Sequence, residues 1–169
     1  HAPVLKLCIR DITATRLIRV VNAIWSSTSF SVAEFDHPLY HAAESTAGIG
    51  ALRAVILSKP ESDATNRFLL RTIRCSPQDV SWLIDDESVP ATRRIELLQK
   101  VLAEASDENI ATLARDTTVV RKIDDALQYE TSKSADSLAR LLRSSDLPID
   151  YFLHRVATIL PFLDNGARK

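Results

Sequence analysis

An aliphatic pair, its two members three residues apart, recurs along the chain at nearly constant intervals. The first members of successive pairs are separated by 31, 31, 30 and 28 residues. Residues three or four apart are neighbours on a helix surface, so each pair marks one apolar face of a short helix. The pattern predicts five repeated units, whose aliphatic pairs are Ile18 and Val21, Ile49 and Leu52, Val80 and Leu83, Ile110 and Leu113, and Leu138 and Leu141.

A serine precedes the aliphatic pair by four residues in four of these units, at Ser45, Ser76, Ser106 and Ser134. A serine at a helix N-cap accepts a hydrogen bond from a backbone N–H two or three residues later, which stabilises the helix by about 1 kcal/mol. Pro77 follows Ser76 at the first helical position, where a missing N–H costs nothing. We therefore expect these serines to cap the first helix of each unit.

A second apolar stretch follows in every unit, separated from the first helix by prolines or short polar runs. Each unit is therefore expected to be a helix, a turn and a second helix. Residues 3–10, apolar at Val4, Leu5, Cys8 and Ile9, are interpreted as the closing helix of an earlier unit or as a cap. The predicted helices are 3–10, 14–26, 32–46, 49–58, 63–74, 77–86, 90–105, 107–115, 118–130, 135–144 and 149–163.

Helix pairs of this length cannot bury both of their apolar faces alone, so neighbouring pairs must stack. We therefore expect an all-α fold, an α-solenoid of about five helix-turn-helix repeats of 28 to 31 residues. A compact helical bundle is the alternative, because five imperfect units can also close on themselves. Residues 1–169 are interpreted as a single helical-repeat domain. Because the chain begins with His1 and contains no methionine, we expect it to be a fragment of a longer protein.

Composition removes several classes of protein. With 3 glycines in 169 residues, hairpin turns and phosphate-binding loops are disfavoured, because both need glycine at positive φ. Cys8 and Cys75 show no Cys-x-x-Cys spacing and are expected to be reduced packing residues. The sequence contains no signal peptide and no apolar run of about 18 residues, so we expect a cytoplasmic protein without a membrane partner.

The fourth unit carries a motif that resembles a known class of repeats. It reads Leu113-Ala114-Arg115-Asp116, then Val120-Arg121, then Ala126-Leu127. This is similar to the inner part of a HEAT repeat or of a leucine-rich-repeat variant, although the interval from aspartate to valine is one residue shorter. The resemblance implies a binding scaffold that presents a concave surface to proteins, less often to nucleic acids, and that sometimes serves as a sensor segment of a larger signalling ATPase.

Histidines and carboxylates of metal-ligand spacing occur at Glu34, His37, His41 and Glu44. On one continuous helix they would share a face. Pro38 disfavours helix at His37, however, and removes Glu34 and His37 from that face. We therefore expect a capped surface turn there and no metal or other cofactor.

No nucleophile motif is present either. There is no Gly-x-Ser-x-Gly, and neither cysteine has a histidine nearby in sequence, so we expect a protein that is not an enzyme.

Two charged clusters are candidate partner-binding sites. Arg67, Arg71 and Arg74 have the spacing of a basic stripe along one helix, to which phosphate groups could bind. A solvated helix face is the other interpretation. Asp85 and Asp86 end the first helix of unit three, where the helix dipole disfavours negative charge. Either a cap for the next turn or a basic partner could compensate them.

Trp82 lies 200° from Val80 on a helical wheel, opposite the aliphatic stripe of its unit. We expect it either to pack against neighbouring helices or, if exposed, to be a docking residue. The leading hypothesis is a non-enzymatic scaffold that binds another protein or another domain of the parent chain. The alternatives are a nucleic-acid-binding helical repeat and a sensor or regulatory segment of a multidomain NTPase.

Overall fold

A computed structural model shows how the predicted helices fold. It describes Arg16, Arg19, Val20, Asn22, Ala23 and residues 49–163, the side chain of Ala51 excepted. Over these residues the secondary structure is helical and contains no strand, so the all-α prediction is confirmed there. The chain divides into two compact units, His1–Thr72 (the N-terminal unit) and Ile73–Lys169 (the C-terminal unit). The prediction of a single domain stays a prediction.

In the N-terminal unit, helix α1 (Ile49–Leu57) packs against helix α2 (Asp63–Thr72). Ile56 and Leu69 are fully buried there. Arg53 is buried as well, and its Nε donates a hydrogen bond of 3.2 Å to Thr72 Oγ1, while its Nη2 donates to the Thr72 carbonyl. A cation at the carbonyl end of a helix is favourable, so Arg53 stabilises the end of α2.

The C-terminal unit contains six further α-helices among its described residues. They are α3 (Pro77–Asp85), α4 (Ala91–Glu104), α5 (Asp107–Ala114), α6 (Thr117–Leu127), α7 (Thr131–Arg143) and α8 (Ile149–Ile159). Single 3₁₀ turns precede α7 at Gln128–Glu130 and follow α8 at Leu160–Phe162. All eight α-helices begin and end within four residues of their predicted bounds. The predicted helices 3–10 and 32–46 lie outside the described residues. The predicted helix 14–26 is described at five positions, and all five are helical.

The structure describes eight members of the repeated aliphatic pairs, of which seven are buried and Ile49 is half-buried. Val80, Leu83, Leu113, Leu138 and Leu141 are completely buried, and Leu52 and Ile110 are 2% exposed. Burying such a side chain stabilises the fold by about 1.5 to 3 kcal/mol. The prediction that this face is the core is therefore confirmed for these seven residues.

Two of the predicted serine caps are confirmed and one is wrong. The hydroxyls of Ser76 and Ser106 each accept a hydrogen bond of 3.2 Å from the backbone N–H three residues later. Ser134 instead lies inside α7, and its hydroxyl donates to the Glu130 carbonyl at 3.2 Å. The physical reason is the 3₁₀ turn at Gln128–Glu130, which leads directly into α7 and starts it three residues before Ser134. Ser45 lies outside the described residues.

Helix α7 contacts four helices of its unit, α4, α5, α6 and α8. Its contact with α4 joins the predicted third and fifth repeats, and there Gln99 Nε2 donates to Ser134 Oγ at 3.1 Å. A stacked solenoid has contacts mainly between adjacent repeats, whereas a bundle brings non-adjacent helices together. This contact is therefore of the kind expected for the bundle alternative, and the solenoid stays a prediction.

Candidate functional site

Trp82 is half-buried on α3 and its indole is anchored at one end. Indole Nε1 donates a hydrogen bond of 2.7 Å to Asp86 Oδ2, one helical turn later. Val80 and Leu83 are buried on the core side of the same helix. Trp82 thus lies between the two expected outcomes, packing against neighbouring helices and exposure to solvent, because it is only half-buried. A docking role for Trp82 stays a prediction.

Asp86 caps the turn that follows α3, as one of the two sequence interpretations proposed. Its Oδ1 accepts hydrogen bonds from the Ser88 hydroxyl at 2.6 Å and from the Ser88 N–H at 2.9 Å. These bonds, together with that from Trp82, hold the pKa of Asp86 below its ordinary value. Asp85 is exposed and pairs with Lys122 of α6. Partners within the chain therefore compensate both carboxylates.

The basic stripe differs from the prediction. Arg67 and Arg71 are exposed on α2, one turn apart. Arg74 lies beyond the end of that helix and belongs to the C-terminal unit, so the expectation of three arginines along one helix is wrong. The helix ends at Thr72, whose carbonyl accepts a hydrogen bond from Arg53, and beyond it the backbone N–H of Arg74 donates to Asp79 Oδ2 at 3.0 Å.

Cys75 is half-buried, and burial raises the pKa of its thiol to about 11. A thiol that stays protonated is a poor nucleophile, in agreement with the expected packing role. The described residues contain no group of three or more His, Cys, Asp or Glu that could hold a metal ion. The cluster of Glu34, His37, His41 and Glu44 lies outside those residues, as does Cys8.

A buried polar network joins α6 to α8. Asp124 is 2% exposed, and its carboxylate accepts hydrogen bonds from Arg155 Nε at 2.6 and 2.9 Å, from Arg155 Nη2 at 2.6 Å and from the Tyr151 hydroxyl at 2.6 Å. The guanidinium of Arg121 lies over the Tyr151 ring, 5.6 Å from its centroid. Sequence analysis missed this network, although an aspartate on the apolar face of α6 was a signal of it.

The electrostatics of this network are those of a structural contact. The hydrogen bonds that Arg155 donates to Asp124 raise the pKa of Arg155. Burial, and next the hydrogen bond to Asp124, raise the pKa of Tyr151 to about 12. Arg155 therefore stays protonated at neutral pH, and the Tyr151 hydroxyl keeps its proton. The carboxylate of Asp124 thus accepts all of these hydrogen bonds from side chains of α8, and the network fastens α8 to α6.

The opposite face of α8 carries an apolar stripe that faces solvent. Ile149 is 65% exposed and Leu153 58%, and Val156 is half-buried. Leu160, which directly follows α8 with a helical backbone conformation, is 47% exposed and continues the stripe. At 100° per residue these four residues occupy an arc of about 60°. Among the residues of α8 itself, only Ile159 is buried. Sequence analysis predicted α8 as an apolar closing helix but did not identify this face as exposed.

A pocket of about 380 Å³ lies beside α7, where Lys133, Asp136 and Arg140 line it together with Phe162 and neighbouring residues. Its two cations already have partners, because Lys133 pairs with Glu130 at 3.1 Å and Arg140 with Asp107 at 2.8 Å. The pocket therefore offers an anionic ligand little attraction. Separately, no helix within the described part of the chain is long and apolar enough to cross a membrane.

Comparison with known proteins identifies no relative: no family model, no curated protein and no solved structure matches this chain. Its function must therefore be inferred from its own surface and contacts.

Proposed function

We propose that this chain is a non-enzymatic protein-interaction module whose docking surface is the apolar stripe of α8, formed by Ile149, Leu153, Val156 and Leu160. The exposure of three large aliphatic side chains on one helix face carries the proposal. Covering the exposed part of each side chain would stabilise the complex by about 1 kcal/mol, roughly half the value for a fully exposed aliphatic side chain. A contiguous apolar face of this kind is typical of a surface that a partner covers.

The partner is another protein or another domain of the parent chain. A protein partner fits the stripe because the stripe is apolar and narrow, as is the face of an amphipathic helix. A nucleic-acid partner has less support, because only two of the three arginines of the expected basic stripe, Arg67 and Arg71, lie on α2. The nucleic-acid-binding repeat and the regulatory segment of an NTPase stay predictions, as do the cytoplasmic location and the HEAT-like family.

A site-specific photocrosslinking experiment tests this proposal. A photoreactive amino acid replaces Leu153 in the full chain, and the control places it at His154, which is exposed on the same helix but lies outside the stripe. We expect a crosslinked protein at position 153 that is absent or much weaker at position 154. Leu153→Asp should weaken binding of that purified protein by at least about tenfold, with His154→Asp within about twofold of wild type.

The contrary result is equally clear. Equal crosslinking at the two positions, or binding that Leu153→Asp leaves unchanged while the variant keeps the helical spectrum of the wild type, would show that the stripe is not the docking surface.

A further inference from the structure

The four residues of the apolar stripe have the spacing at which two helices pack along each other. Ile149, Leu153, Val156 and Leu160 are separated by four, three and four residues. This alternation of four and three is the spacing of the a and d positions that form the seam of a coiled coil. Leu160 keeps a helical backbone conformation, so the seam extends over all four residues. The stripe is therefore suited to a second helix that lies along α8.

The stripe is also complementary to itself when two copies of α8 run antiparallel. A two-fold axis between positions 154 and 155 places Leu153 opposite Val156 of the second copy. The same axis places Ile149 opposite Leu160 of the second copy. Each β-branched side chain then faces a leucine, and each of the two pairs occurs twice because of the symmetry. One exposed stripe thus supplies both sides of the contact, without any residue from elsewhere in the chain.

The charge beside the stripe favours the antiparallel arrangement over a parallel one. The stripe is bordered on one side by Phe152 and Ile159, and on the other by Asp150 and Ala157. In a parallel pair of helices, the two Asp150 carboxylates would lie at the same height and repel each other. In the antiparallel pair they are about 13 Å apart along the helix axis, which exceeds the Debye length of about 8 Å at physiological ionic strength. Each helix N-terminus then also lies beside the C-terminus of the other helix, where the dipoles attract.

We propose that two copies of this chain form a symmetric dimer through the stripe of α8, with the two helices antiparallel. This inference rests on the proposed function, since it names a second copy of the chain as the partner of the same surface. The contact is isologous, because the same residues lie on both sides, and it therefore closes at two copies. A helix of 11 residues buries less than the roughly 800 Å² per partner that is typical of a stable complex, so the dimer forms only at high concentration.

Sedimentation equilibrium of the full chain, at concentrations up to about 1 mM, tests the inference. We expect the average mass of the wild type to rise with concentration and not to exceed that of a dimer. Leu153→Asp places a charge on both sides of the seam and should weaken dimerisation by at least about tenfold. The control His154→Asp adds the same charge about 100° further around the helix and should stay within about twofold of wild type. Helicity and thermal unfolding establish that each variant is folded.

Cysteine crosslinking tests the antiparallel arrangement independently of any charged variant. Cys8→Ser and Cys75→Ser first remove the native thiols. In that background, chains with Ile149→Cys are mixed with chains that carry Leu160→Cys, and glutathione disulfide is added as the oxidant. We expect the mixed disulfide to form at least about tenfold faster than a disulfide between two identical chains. Identical positions lie about 16 Å apart along the axis of the dimer, whereas a disulfide needs Cα atoms within about 7 Å of each other.

Three results would overturn the inference. They are a wild-type chain that stays monomeric at about 1 mM, a dimer that Leu153→Asp does not weaken, and disulfides that form equally fast in the mixture and in each variant alone. None of these would by itself contradict the proposed function. If photocrosslinking from position 153 captured a different protein, whose binding required Leu153, the stripe would remain a docking surface and only the assignment of the second copy would fail.

Discussion

The indole of Trp82 and the carboxylate of Asp86 form a contact within one helical turn. Sequence analysis placed Trp82 opposite the aliphatic stripe of its helix, and the structure adds a hydrogen bond of 2.7 Å from its indole Nε1 to Asp86 Oδ2. An indole has a single N–H to donate, and pairing it fixes the ring on α3. The orientation of the Trp82 ring therefore depends on the Asp86 side chain, which accepts this hydrogen bond.

We predict that Asp86→Ala makes the Trp82 ring more mobile. The experiment uses a Trp25→Phe background, in which Trp82 is the single tryptophan. Acrylamide quenching of its fluorescence should rise about twofold, because the ring loses the bond that holds it. Asp85→Ala is the matched control, since that carboxylate pairs with Lys122 instead. Equal quenching in the two variants would contradict the anchoring role.

The same contact has a defined pH dependence. The folded pKa of Asp86 lies below 3.8, its ordinary value, so the carboxylate contributes stability that is fully present above about pH 3.8. This contribution is lost as the pH falls below 3.8 through the folded pKa. The emission of Trp82 should accordingly stay constant from neutral pH down to that point and change only below it.

At the scale of helices, α6 and α8 are joined by an ion pair whose two partners a sequence pattern does not identify. Asp124 and Arg155 are 31 residues apart and each lies on the inner side of its helix. An aspartate among the buried residues Val120, Ile123 and Leu127 indicates a buried partner but does not say which one. Arg121, three residues earlier in the same helix, instead lies over Tyr151.

Asp124→Ala should destabilise the C-terminal unit by about 3 kcal/mol, because it leaves Arg155 and the Tyr151 hydroxyl without their acceptor. Asp125→Ala is the matched control, since Asp125 is exposed next to it and should change the stability by less than about 0.5 kcal/mol. The measurement is urea unfolding followed by circular dichroism. Similar midpoints for the two variants would show that the network contributes little.

For the molecule as a whole, the chain divides at Thr72 and Ile73, inside what sequence analysis interpreted as one domain. The C-terminal unit has its own core, to which α3, α4, α5, α6 and α7 all contribute fully buried side chains. A set of helices with an internal core can fold alone.

We therefore predict that residues 73–169 fold without the rest of the chain. The fragment should be helical and should unfold in one cooperative transition in urea, with a dispersed NMR spectrum. A shorter fragment, 73–146, lacks α8 and removes the partners of Asp124, so it should unfold at a lower urea concentration. If the fragment 73–169 were molten, with a broad unfolding transition and a poorly dispersed NMR spectrum, the C-terminal unit would not fold independently.

For the described part of the chain, the sequence by itself determined where the helices are and which face of the first helix is buried in the third, fourth and fifth repeats. Both follow from contacts between residues three or four apart, which a linear pattern records directly. Val80, Leu113 and Leu138 were identified in this way, and all three are fully buried. The caps at Ser76 and Ser106 belong to the same class, since a cap bond spans three residues.

Only the tertiary structure decided which helices meet. The contact of α4 with α7, the pairing of Asp124 with Arg155 and the exposure of the stripe on α8 all depend on residues far apart in sequence. The hydrophobic periodicity of α8 shows that it has an apolar face. Whether that face is covered depends on the neighbours that the folded chain supplies, and here the polar network turns α8 so that Arg155 faces α6 while Leu153 faces solvent.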